Sequence, residues 1–148
     1  QIFIVCHEFI KLIENINMTK VYKMPVLQAI YNDSDIRMEV TNEEIVDCWK
    51  AFFDANENWR DFDSDMTYEK YRNITDKAHL KKIIQMPVNF LIKSGGGFFC
   101  KKEGYAIALN DDLKDVVKKD AFAEQMKDVV EYRVLDYYQR RYDRKKSG

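Results

Sequence analysis

Three stretches of the chain hold residue types that could do chemistry. Asp61, Asp63 and Asp65 alternate in Asp61-Phe-Asp-Ser-Asp65, the spacing at which carboxylates open a calcium-binding loop. That loop also needs glycine at its sixth position and a bidentate glutamate at its twelfth, where this chain has Met66 and Arg72. A solvated acidic loop is the reading that remains. Gly95-Gly-Gly97 invites a second reading, as a phosphate cradle. A cradle follows a strand, opens a helix and ends in Gly-Lys-Ser/Thr. Here the glycines follow a helical pattern and open the apolar pair Phe98-Phe99, so they read as the exit from a helix into a hairpin. The remaining candidates, His7, His79, Cys6, Cys48 and Cys100, contain no C-x-x-C or H-x-x-x-H pair and would have to form a zinc site from scattered single ligands. No catalytic residue, cofactor or metal is predicted.

The lysines are more informative. Between Asp76 and Gly104 lie Lys77, Lys81, Lys82, Lys93, Lys101 and Lys102 against Asp76 and Glu103 alone, a local charge of +4 in a chain whose total is −1. This density suits contact with phosphates, which position a nucleic acid without reading its sequence. The competing reading is a solvated lysine face. A second basic cluster, Arg140, Arg141, Arg144, Lys145 and Lys146, ends the chain and reads as a complement to the dipole of a terminal helix. Tyr132, Tyr137, Tyr138 and Tyr142 have the spacing of packing residues.

The elements that must carry these lysines follow from periodicity. Ile2, Val5, Phe9, Leu12, Ile13 and Ile16 recur at three- and four-residue steps and predict a helix over 2–16. Met24-Pro25 opens a short helix to Tyr31, since proline is tolerated in a first turn, and Asn32-Asp33-Ser34 supplies turn chemistry after it. Ile36, Met38 and Val40 alternate with charged residues as a half-buried strand. Thr41-Asn-Glu-Glu44 is a capping box, and Ile45, Trp49, Phe52 and Phe53 form the buried face of the helix it starts. From Asp54 to Thr75 the periodicity fades into a long, partly helical connection.

A third helix is predicted from Asp76 to Gln85, with Ala78, Ile83 and Ile84 inward; Pro87 kinks or restarts it, and Val88, Phe90 and Leu91 close it. Phe98–Lys102 and Tyr105–Leu109 form a hairpin around Lys-Glu-Gly. Asn110 caps a short helix and Asp120 a long final one bearing Met126, Val129, Val130, Val134 and Tyr137. The predicted fold class is therefore α+β, with a winged-helix-like centre at 24–109 (helix, strand, helix, helix, β-hairpin) bracketed by N- and C-terminal helices. The predicted duplex contacts lie on the third helix and the hairpin, or wing.

At 148 residues, 46% apolar and 14% aromatic, the chain suits a single domain around one core. A near-neutral total charge excludes a wholly basic footprint. An odd number of widely spaced cysteines predicts buried, reduced thiols and a cytoplasmic setting, and no apolar run is long enough to suggest a membrane span. Helical periodicity runs from the first residues after Gln1, so the chain is expected to be excised from a longer one.

Tyr22-Lys-Met-Pro-Val-Leu-Gln-Ala-Ile-Tyr-Asn-Asp33, Val40-Thr-Asn-Glu-Glu-Ile-Val-Asp-Cys-Trp-Lys-Ala-Phe-Phe53 and Ile84-Gln-Met-Pro-Val-Asn-Phe-Leu91 before Phe98-Phe99 together resemble the non-catalytic C-terminal region of bacterial DEAD/DEAH-box helicases of the restriction and defence type. The resemblance spans about residues 22–142; Phe52-Phe53 and Met86-Pro87 stand where Phe-Tyr and Asn-Pro are expected, and the motor's Walker and Asp-Glu-Ala-Asp/His motifs are absent. It implies a non-enzymatic accessory domain that touches nucleic acid, DNA before RNA, and carries over no catalytic residue. The alternative is a protein-interaction or dimerisation module docking on the motor domains of the same parent chain.

Overall fold

The computed structural model describes residues 2–31 and 35–147, with the side chains of 4–31 and 35–141. It is α+β and mostly helical, with one small antiparallel sheet. Helix α1 (Ile2–Asn15) buries Phe9 and Ile13 of the predicted stripe, with Ile10 beside them; Val5 and Leu12 are partly buried, and the Ile2 side chain lies outside the described residues. Phe9 stacks on Phe122 of the final helix α7 (Asp120–Ser147) at 5.5 Å and meets Phe98, at the base of the hairpin, edge-on at 5.2 Å. One ring thus joins both termini to the sheet. Arg133 of α7 donates to the carbonyls of Ile13 at 3.0 Å and Ile16 at 2.5 Å, supplying donors to the end of α1 that its own backbone leaves unpaired. Asp120 stands inside the first turn of α7 rather than before it, where a carboxylate still complements the helix dipole.

Helix α2 (Lys23–Tyr31) lies between α7 and α3 (Asn42–Asp54), and so buries Met24, Val26, Leu27, Ala29 and Ile30 on more than one side. The predicted turn at 32–34 lies outside the described residues. Strand β1 is only Glu39–Val40, shorter than the predicted 36–40. The reason is local: the Arg37 amide donates to Ile30 at 2.8 Å and its guanidinium to Ala29 at 2.7 Å, so the preceding chain is tied to the end of α2 and not to a neighbouring strand. The capping box forms as predicted, with Glu44 N–H donating to the Thr41 hydroxyl at 3.1 Å and Thr41 N–H to the Glu44 carboxylate at 2.9 Å. These bonds, with Arg37 beside it, hold the Glu44 carboxyl below its usual pKa.

Strands β2 (Phe99–Cys100) and β3 (Ile107–Leu109) pair antiparallel, Phe99 opposite Leu109, and β1 adds to the other side of β3 with Val40 opposite Ile107. The sheet order is β1-β3-β2. The hairpin's paired part is shorter than 98–102 and 105–109, because the Lys102-Glu-Gly-Tyr105 turn closes with a Tyr105 to Lys102 bond at 3.1 Å and Gly104 at φ +86°. Asn110 caps the short 3-10 turn Asp111–Leu113.

The long connection is better packed than its periodicity suggests. A 3-10 segment (Ala55–Asp61) and helix α4 (Tyr68–Arg72) carry Phe62 and Tyr71 into the core. Asp61 corrects the reading of a solvated acidic loop: it is 5% exposed and ion-paired to Arg141 of α7, while Asp63 and Asp65 face solvent. The three cysteines are free but only partly buried; burial raises the Cys6 thiol pKa and lifts that of Cys48 to about 11. No described helix is long and apolar enough to cross a membrane.

Gly95 ends the helix before the hairpin with almost no room to spare. A β-carbon there would lie 2.2 Å from the Leu91 carbonyl and 2.5 Å from the Phe99 ring. Gly95→Ala is therefore expected to lower unfolding free energy by about 1–3 kcal/mol, the usual cost of overpacking. Gly104→Ala meets no atom within 4 Å and carries only the strain of its positive φ, about 1 kcal/mol. Urea denaturation of both variants checks the order.

Candidate nucleic-acid interface

The third helical stretch is built in three parts. Helix α5 (Asp76–Ile83) is capped by the Thr75 hydroxyl, which accepts from the Ala78 amide at 3.1 Å. Pro87 cannot donate to the carbonyl one turn back, and the chain widens into a π turn over Ile84–Val88 before resuming as α6 (Asn89–Ser94). One correction follows: of Val88, Phe90 and Leu91, read together as closing the stretch, Val88 and Leu91 are buried and Phe90 is 50% exposed.

A second correction concerns α5. Ala78 is exposed, and His79 takes the inward place one residue on. Its Nδ1 accepts from the Trp49 indole at 3.1 Å, and its ring sits edge-on to Phe62 and Tyr71. A buried indole N–H needs an acceptor, a demand that hydropathy does not register.

With His79 and Ile83 inward, Lys77 and Lys81, four residues apart, share the exposed face of α5. Lys93 in the last turn of α6 and Lys101 on the hairpin are also exposed, and none of these four forms an ion pair with a described residue. The other two are differently employed. The Lys82 ammonium lies 4.6 Å from the Phe62 ring centre and 4.9 Å from that of Tyr22, and burial lowers its pKa. Lys102 bridges to Glu39 of β1 at 2.5 Å, a bond that raises its pKa and ties the hairpin turn to the sheet.

Between the hairpin and the π segment runs a groove of about 650 Å³. Ile84, Gln85 and Asn89 line one wall, with Lys101, Lys102 and Tyr105 on the other. Lys101 and Lys102 are the predicted lysines in its lining; Lys81 stands four residues before Gln85, and Lys77, Lys81, Lys82 and Lys93 do not line it. A second groove of about 580 Å³ lies behind the π segment, where Leu12 of α1 and Ile16 just after it face Met86 and Phe90 with Lys20 and Lys23 among the lining residues. The described residues contain no group of three potential metal ligands.

Comparison with protein-family models, curated proteins and solved structures yields no match.

His79 makes this face sensitive to acid. Its imidazole is 2% exposed, and burial, with Lys50 and Lys82 nearby and Asp76 and Asp54 opposing, lowers its pKa below the usual 6.5. Above about pH 6.5 the group adds no pH dependence; as pH falls through that value the unfolded chain takes up the proton first and stability declines until the folded pKa is passed. Urea midpoints followed by tryptophan fluorescence should be lower at pH 5 than at pH 8, with a smaller difference in His79→Gln.

Proposed function

We propose that this chain is a non-enzymatic, winged-helix-like accessory module of a DEAD/DEAH-type helicase, touching nucleic acid through α5 and the β2–β3 wing. In support, the described order is helix α2, strand β1, helices α3 to α6 with a π segment between α5 and α6, then the β2–β3 hairpin, with β3 between β1 and β2. The groove sets the helical stretch that continues α5 beside the hairpin, and a helix and a wing are the pair of elements such domains present to a duplex. The observation that carries the reading is that Lys77 and Lys81 on α5 and Lys101 on the hairpin are exposed and without described ion-pair partners, with Lys101 lining the groove in front of the π segment. DNA is favoured over RNA because a helix enters the major groove of B-form DNA, whereas that of A-form RNA is too deep and narrow.

Three phosphate contacts release about three counterions, so log K should fall with log salt at a slope of about 3. Binding should be weak, in the range of about 10⁻⁴ to 10⁻⁶ M near physiological salt. Lys81→Glu with Lys101→Glu should weaken binding to all duplex sequences alike and flatten the slope, measured by fluorescence anisotropy. No binding by the intact chain at low salt, or unchanged binding by the double variant, contradicts the proposal.

A second reading, docking on motor domains, is favoured by the exposed Met86 and Phe90 in the groove behind the π segment.

A further inference from the structure

The groove in front of the π segment has a chemistry that phosphate contact alone does not use. Its apolar lining comes from Ile84, Val88 and Ile92, and the side-chain amides of Gln85 and Asn89 stand beside it as donors and acceptors. Tyr105 lines the opposite side with 40% of its surface exposed, and the Lys102 ammonium, anchored by Glu39, lies 5.6 Å from its ring centre. An aromatic ring, hydrogen-bonding amides and flanking lysines are the components that hold an unpaired base: the ring stacks, the amides meet the base edge and the lysines meet the flanking phosphates. A volume of about 650 Å³ falls within the range of pockets that hold drug-sized ligands. A base within a duplex cannot reach such a groove, because it must leave the stack to present its face. Glu103 is the one acidic residue in the lining, and it is exposed at the turn beside Lys101 and Lys102.

We infer that this groove seats an unpaired nucleobase stacked on Tyr105, so that the module engages single-stranded as well as duplex nucleic acid. The inference rests on the nucleic-acid reading above and adds the substrate class. It makes Tyr105 a contact for single strands only, while Lys81 and Lys101 serve both forms.

The test uses the whole chain with a fluorescein-labelled 12-nucleotide oligothymidine, the same strand with abasic sites at its centre, and a 12-base-pair duplex. Tyr105→Ala is expected to weaken binding of the intact single strand by about tenfold. Tyr105→Phe should retain it, and duplex affinity should not change in either variant. The abasic strand should bind the unaltered chain as weakly as the intact strand binds Tyr105→Ala. If both forms bind but Tyr105→Ala weakens neither, or weakens the duplex as much as the single strand, the base-seating inference fails and the phosphate-contact reading stands. If neither form binds at low salt, both fail. Thermal unfolding of Tyr105→Ala at the unaltered temperature separates a lost contact from a lost fold.

Discussion

Burying the Trp49 indole leaves its N–H needing an acceptor, and His79 Nδ1 at 3.1 Å supplies it. That bond crosses from α3 to α5 and settles which way α5 faces. Around it, Phe53 lies 4.9 Å and Phe62 6.0 Å from the indole, so rotating α5 would break both the hydrogen bond and an aromatic cluster that joins Tyr22, just before α2, to α3, the connection and α5. Removing the acceptor from a buried donor costs about 1–3 kcal/mol before any packing is lost. The outward direction of Lys77 and Lys81 is the other side of the same constraint.

The β2–β3 hairpin is held from two directions. At its base, Phe9 meets Phe98 and Phe99 while stacking on Phe122, so α1 and α7 brace the hairpin. Near its turn, the Lys102–Glu39 bridge ties the loop to β1. Such an exposed pair contributes little to stability in general, and its role here is geometric: it engages one lysine so that the neighbouring Lys101 is the one left without a described ion-pair partner. The hairpin loop tied to Glu39 forms one side of the groove, and the helical stretch that follows α5 forms the other.

Much of this arrangement was legible in the sequence because it rests on local patterns. The Thr41–Glu44 box, the α1 stripe, the Gly95 exit and the Lys-Glu-Gly turn each depend on residues close in the chain. The features that local patterns do not carry depend on partners far apart. Asp61 reads as a solvated acid until Arg141 arrives from the other end of the chain. His79 reads as an isolated titratable group until α3 brings Trp49. Phe90 reads as equivalent to Val88 and Leu91 until the packing around Pro87 buries those two and leaves it outside. Among the six lysines, composition could not distinguish Lys82, turned over Phe62 and Tyr22, from Lys81 beside it.

The most direct test of the central claim is amide hydrogen–deuterium exchange of the chain with and without a duplex carrying a single-stranded overhang. Slowed exchange confined to residues 77–92 and 100–107 is the predicted result. Protection centred instead on residues 12–23, or no protection at a nucleic-acid concentration that saturates binding, would contradict the proposed face of α5 and the β2–β3 hairpin.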